Sequence, residues 1–297
     1  MKLFPMVITA GLLCLSCTKG TENSGISYNA ACNFVYEFMP APGQFINDYP
    51  GYSITSGSQA CQYALEHLNN DQVISLGAFG GYIIVGFDHS IQNSSGYDIA
   101  IKSNPILEFS EPGIVWVMKD SNGDGLPNDT WYELMGSEFG CKGTYYDYTV
   151  TYYCPTDSGQ DVKWKDNYGK TGAVKYLGTY HKQPSYYPLW ASADSLVLTG
   201  TLLRNNSANM GTVQDYWVCN SFEYGYVDNY SSVDYSNGYN YFDIDNAVDR
   251  NLEHVDLDII DFVKVQTAVL AQCGWVGEVS TEISKIVDAH LDKSIKQ

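Results

Sequence analysis

The feature that most constrains this chain is a succession of short strand-like runs. "VISLGAFGGYIIVGFDHSI", "GYDIAIKSN", "EPGIVWVMKD", "TWYELMGSE", "TYYDYTVTYY", "DSLVLTGTLL", "DYWVCNSFEYGYVDN", "NYFDIDNAVD" and "IIDFVKVQTAVLA" follow one another, parted by Gly, Asn, Asp and Pro turns. Runs of this length and spacing predict an all-β chain built as a β-sandwich. No internal repeat runs through it, which argues against a propeller or solenoid. One early stretch differs. "SGSQACQYALEHLNN" carries Cys61, Ala64, Leu65 and Leu68 at helical spacing behind a Ser56 or Ser58 cap, and predicts one short N-terminal helix. The Gly-rich part of "LGAFGGY" is expected to join two strands, with Gly80 and Gly81 at positive φ. It is no dinucleotide fingerprint, because no helix follows it.

The N-terminus reads as a targeting segment. "MKLFPMVITAGLLCLSC" has one charge, Lys2, and an apolar run from Leu3 to Leu15 that is too short to span a bilayer. Leu15-Ser16-Cys17 has the form of a lipobox, although Cys14 stands where an aliphatic residue is usual. The expected organisation is a lipoprotein signal peptide over residues 1–16, a small polar tether over 17–28 and a single β-sandwich domain over 29–297. Cys17 is then the lipidated residue, and the chain is exported and lipid-anchored to the outer membrane, facing the cell surface. An ordinary cleaved signal peptide is the alternative. No later stretch is long and apolar enough for a transmembrane helix.

The formal net charge is −18, and loss of residues 1–16 removes only Lys2. So acidic a chain is a poor partner for nucleic acid or for anionic lipid, but it leaves carboxylates for divalent cations. The 25 Tyr suit the faces of an all-β fold and also suit binding surfaces. Beyond Cys17 there are Cys32, Cys61, Cys141, Cys154, Cys219 and Cys273, an even set that permits disulfides in an exported chain. Cys141 and Cys154 flank one long strand, too far apart to pair with each other.

Several stretches carry a family resemblance: "VYEFMPAPGQFIN", "SLGAFGGYIIVGFDHSI", "EPGIVWVMKDSNGDGLPNDTWYELMGSE", "YFDIDNAVD" and "GWVGEVSTEI", in that order. Together they resemble a family of Bacteroidetes cell-surface lipoproteins, often labelled only as cell-surface or PKD-domain proteins. The resemblance extends over nearly the whole mature chain. It implies a jelly-roll β-sandwich, similar in pattern to carbohydrate-binding and discoidin-like modules. Some members are associated with loci for TonB-dependent transport, including corrinoid uptake. This implies capture of a glycan or a small nutrient such as cobalamin for a TonB-dependent transporter. It supplies no catalytic residues.

Four constellations are candidates for chemistry. In "DSNGDGLPNDTWYEL", Asp120, Asn122 and Asp124 alternate before Gly125, as at the start of a calcium loop. The Leu126 carbonyl, Asn128, Asp129 and Glu133 are candidates to complete the shell. Trp131 stands at the twelfth position, where an EF-hand needs glutamate, and the flanks are strand-like. The expectation is a calcium-braced loop between strands, with a plain hairpin turn as the alternative. In "FDIDNAVDRN", Asp243 and Asp245 fall on one strand face and Asp249 follows, either as a second cation site or as a solvated acidic edge. In "HKQPSYYPLW", Tyr186, Tyr187 and Trp190 form an aromatic loop suited to a sugar or a macrocycle, or else they cover the end of the core. Asp88 and His89 are expected on opposite strand faces and so not to act as a pair.

Three functions remain open. The first is a non-enzymatic surface module that captures a glycan or a nutrient. The second is a secreted carbohydrate-active hydrolase using Asp or Glu, although no paired-acid spacing or GxSxG marks one. The third is a structural or adhesion module with calcium as its only ligand.

Overall fold

The structure is a computed structural model that describes residues 27–47, 54–191 and 194–293. The signal segment, Cys17 and nearly all of the tether lie outside the described residues. The strands are β1 (Phe34–Met39), β2 (Ile74–Ser75), β3 (Tyr82–Gln92), β4 (Ile99–Ser103), β5 (Gly113–Met118), β6 (Trp131–Leu134), β7 (Tyr145–Tyr153), β8 (Val162–Asp166) and β9 (Thr171–Val174). They continue with β10 (Ser195–Leu202), β11 (Ser207–Asn209), β12 (Trp217–Cys219), β13 (Tyr235–Ser236), β14 (Tyr239–Phe242), β15 (Ala247–Val248), β16 (Ile259–Thr267) and β17 (Glu282–Asp288). The one α-helix among the described residues is α1 (Gly57–Asn69).

Two antiparallel sheets form the sandwich. One runs β1-β3-β16-β5-β6-β15 and the other β13-β14-β4-β17-β2. Alternation decides which residues meet between them. Ile83 and Val85 of β3, Val115 and Val117 of β5, and Val263 and Val265 of β16 face Ile99 and Ile101 of β4 and Ile283 and Ile286 of β17 in one continuous core. The all-β sandwich with one short helix is therefore the fold. The helix begins at Ser56, whose side chain accepts from the Gln59 N–H. It packs on β1, β2 and β17, covering the edges where the two sheets would otherwise lie open. Its inward face is Ala60, Tyr63, Ala64 and Leu68, one position round from the stripe read in the sequence, so Cys61 and Leu65 are only partly buried.

A third sheet, β10-β7-β8-β9, has a core of its own. Tyr148, Val150 and Tyr152 of β7, with Trp164 of β8, pack there on Phe79 and on Tyr186 and Tyr187. It lies against the outer face of the six-stranded sheet, where Gln266 of β16 donates to the Thr199 carbonyl of β10 at 3.1 Å. The strand pattern alone did not separate this layer from the sandwich. Two local expectations also change. Gly77 and Gly80 have positive φ, whereas Gly81 does not. A Cβ at Gly81 would meet the Leu76 carbonyl oxygen at 1.8 Å, so its need is space rather than conformation. The strands that flank this turn, β2 and β3, belong to different sheets, so the turn is a crossover and not a hairpin.

Replacing Ile286, fully buried between the sheets, with alanine is expected to destabilise the chain by about 3 kcal/mol. Urea unfolding checks this by a lower midpoint at unchanged slope.

Candidate functional site

The most reactive-looking environment lies at one end of the sandwich, in a pocket of about 210 Å³. The turn after β1 supplies Gln44 and Phe45. The entry to β5 supplies Glu111, and the start of β17 supplies Ser280 and Glu282. Two loops close it, one with Tyr180 and His181 and the other with Trp275 and Val276. Tyr180 and Trp275 are 62 % and 58 % exposed, with ring centroids 6.2 Å apart. They stand at the rim, while His181 is held inside by an edge-on contact with Phe45 at 4.6 Å.

The floor is a group of carboxylates with no lysine or arginine among the pocket-lining residues. Glu111 accepts from the Ser280 N–H at 2.9 Å. The Asp228 carboxylate accepts from the Glu282 N–H at 2.8 Å, and the Glu282 carboxylate accepts from the Asn104 amide at 2.8 Å. Burial pushes Glu111 and Asp228 well above the usual carboxylate range, and the mutual repulsion of Asp228, Glu111 and Glu282 adds to it. Glu282 is raised as well, again by burial. Behind them Glu278, 2 % exposed, accepts from the Gln44 N–H at 2.8 Å and is pushed up to about 8 by burial. Gln44 donates its amide N–H to the Val276 carbonyl at 2.7 Å, and its buried Oε1 has no partner among the described residues. A Cβ at Gly277, where φ is +111°, would strike the Gln44 amide at 2.5 Å, so only glycine lets the Trp275 loop close on this glutamine. The pocket thus presents hydrogen-bond acceptors, protonatable acids and two exposed aromatic faces.

A second cavity, of about 250 Å³, lies between the six-stranded sheet and the third sheet. It holds Glu133, Lys264, Trp116, Trp131, Tyr146 and Arg250. Glu133 and Lys264 attract each other there. Glu133 accepts from the Thr201 hydroxyl at 2.5 Å and is raised to about 7 by burial. The Lys264 ammonium sits 4.9 Å from the Tyr82 ring centre and 5.6 Å from that of Trp116, and burial lowers it to about 8.

The residues singled out in the sequence are distributed as follows. Asp120, Asn122, Asp124, Asn128 and Asp129 share the loop between β5 and β6, an antiparallel pair. Gly123 and Gly125, both at φ +73°, curl it. Asp120 accepts from the N–H groups of Gly123 at 2.7 Å and Gly125 at 2.8 Å, and Asp124 accepts from Leu126 at 2.9 Å. The Leu126 carbonyl accepts from the Asn128 N–H, and Asp129 accepts from the Ser121 N–H at 3.1 Å. The all-oxygen donor set of Asp120, Asn122, Asp124 and Asn128 suits a hard cation. Glu133 stands apart on β6, committed to Thr201.

The second acidic trio does not share a strand face. The strand ends at Phe242, and Asp243 caps a short 3-10 turn over Ile244–Asn246 by accepting from the Asp245 N–H. Asp245 accepts from Asn93 at 2.8 Å, and Asp249 closes its own turn by accepting from Asn251 and Glu253. Tyr186, Tyr187 and Trp190 are 0 %, 2 % and 5 % exposed, so they present no face to a ligand. They join two cores, and the Tyr186 hydroxyl donates to the His181 carbonyl at 2.9 Å, which positions the pocket loop. Asp88 and His89 do pair, at 2.8 Å, and Asp288 holds the other ring nitrogen at 3.0 Å. Residues 87–90 bulge opposite Asp261, which breaks the alternation.

Sequence reading missed Tyr180, Trp275 and the acids beneath them. Their signal was Trp275 inside "CGWVGE", a large ring between two glycines, where no strand pattern asks for one.

Glu278 has an ordinary value of 4.5 when unfolded and titrates near 8 in the fold. Between these values the folded chain binds the proton more tightly. The stabilisation present at acid pH is therefore lost as pH rises toward 8. Denaturant midpoints are expected to fall from pH 5 to pH 8, and Glu278→Gln is expected to flatten that fall. The sequence matches no protein-family model and no curated protein.

Proposed function

We propose that this chain is an exported, lipid-anchored capture module that binds a hydroxyl-rich ligand, a glycan end or a sugar-bearing nutrient, in the Tyr180–Trp275 pocket. The observation that carries the reading is the pairing of two exposed aromatic rings with a floor of acceptors that, among the described residues, holds no lysine or arginine. Sugar rings stack their C–H faces on aromatic rings and donate their hydroxyls to carboxylates and amides. Lysine and arginine at the floor would instead select phosphate or carboxylate ligands. At about 210 Å³ the pocket is below the roughly 300–1,000 Å³ typical of sites for drug-sized ligands. It therefore takes one ring or one end of a larger molecule, and a corrinoid would rest its bulk on the rim. Three of the stretches that carry the family resemblance, around Gln44, Glu111 and Trp275, converge here, and hand-over to a TonB-dependent transporter is what that resemblance alone implies.

Glycan arrays and calorimetry with cobalamin test this. Trp275→Ala is expected to weaken binding on the order of ten-fold while leaving the melting temperature within a few degrees. Absence of binding to glycans and to cobalamin overturns the reading.

A second reading has its own observation. Burial holds both Glu111 and Glu282 above the usual carboxylate range, the direction a glycosidase's general acid needs. Polysaccharide turnover abolished by Glu111→Gln or Glu282→Gln, with binding retained, favours this hydrolase.

The loop over residues 120–129 is proposed to be braced by calcium held by Asp120, Asn122, Asp124 and Asn128. Melting in excess chelator is expected several degrees below melting in calcium, and Asp124→Asn is expected to remove the difference.

A further inference from the structure

We infer that Cys219 and Cys273 form a disulfide that staples the Trp275 loop to β12 and so sets one wall of the pocket. The two sulfurs are 2.9 Å apart, and the side chains are 2 % and 1 % exposed. They lie among Phe222, Ala268, Val269 and Val279. A disulfide needs its sulfurs about 2.05 Å apart, so closure asks for a shift of less than about 1 Å. The turn already packs on a side chain of β12 there. A Cβ at Gly274 would strike the Trp217 indole at 2.2 Å, so the turn lies flat against β12 at the residue next to the cysteine. The thiol of Cys219 donates to the sulfur of Cys273 and holds the latter below its ordinary range, which favours it as the attacking thiolate.

Cys32, Cys61, Cys141 and Cys154 make no sulfur–sulfur contact among the described residues. Cys141 and Cys154 are exposed, with the whole of β7 between them.

What the bond joins gives it a role. Cys219 donates its N–H to the Glu108 carbonyl at 2.6 Å and accepts from the Ser110 N–H at 2.9 Å, so it fixes the segment that delivers Glu111. Cys273 closes the turn of Trp275, donating to the Gly277 carbonyl at 2.7 Å and accepting from the Val276 N–H at 3.0 Å. The cross-link therefore ties the acid floor to the aromatic rim. Its formation balances as thiol–disulfide exchange. The Cys273 thiolate displaces one thiolate from an exogenous disulfide, and Cys219, giving up its proton, displaces the second. The exogenous disulfide leaves as two thiols. Burial of both sulfurs places this exchange before the final packing of the loop.

The cross-link stands or falls by its own chemistry, and only its bearing on ligand capture rests on the function proposed above. Peptide mapping of the exported chain without reductant is expected to find the peptides of Cys219 and Cys273 joined, two hydrogens lighter, and released by a phosphine. Alkylation of both thiols in denaturant without reductant overturns the proposal. In Cys219→Ala/Cys273→Ala, melting is expected on the order of 5–10 °C lower, with amides 273–279 exchanging at least several-fold faster. Joined peptides with unchanged exchange in this loop overturn the staple. If the double variant fails to fold, phosphine-reduced wild type supplies the same comparison.

Discussion

The burial of β16 on both faces is the constraint on which the other layers depend. Val263 and Val265 point into the sandwich, and Phe262, Lys264 and Gln266 point to the opposite side, where the third sheet lies. A strand with polar residues on one face normally gives that face to water. Here the third sheet covers it, so each polar group needs a partner or a shifted protonation. Lys264 finds the faces of Tyr82 and Trp116, Glu133 finds Thr201, and Gln266 donates to the Gly80 and Thr199 carbonyls. The covering layer brings the loop over residues 176–191 with it, and that loop carries Tyr180 and His181 to the end of the sandwich.

The same economy of partners does not hold in the pocket at that end. Glu111, Asp228 and Glu282 repel one another, and no lysine or arginine lines the pocket among the described residues. Burying carboxylates together costs stability unless they keep their protons or meet donors. In the capture reading proposed above, a ligand rich in hydroxyls would supply those donors. The exposed rings of Tyr180 and Trp275 stand above the acids, and the turn of Cys273 to Gly277 holds the larger ring in place. The Glu133 cavity differs in kind, because it holds both an acid and a base, Glu133 and Lys264, which attract each other.

Much of the fold was legible along the chain because side-chain alternation and turn chemistry are local. The loop of Asp120 to Asp129 sits between two strands as its flanks implied, and Ser56 caps the one helix. The failures were those of position in space. Tyr186, Tyr187 and Trp190 read as a platform because proline and polarity flank them, yet they lie where two cores meet. Asp88 and His89 pair because a bulge in β3 suspends the alternation that would separate them. Asp243 and Asp245 read as strand residues because nothing local announces the 3-10 turn that Asp243 caps.

What the sequence determined by itself is the class of the chain: all-β, with one capped helix and turns set by glycine and asparagine. Those properties depend on neighbours a few residues apart. What only the tertiary structure decided is which faces are wet. It buried one set of aromatic rings and exposed another, and it gathered Gln44, Glu111, Tyr180, Trp275 and Glu282 from across the chain into one pocket. It also brought Cys219 to Cys273. Contacts between residues so far apart in sequence arise from packing, and packing is fixed by the volume and the complementarity of whole layers, which no local pattern encodes.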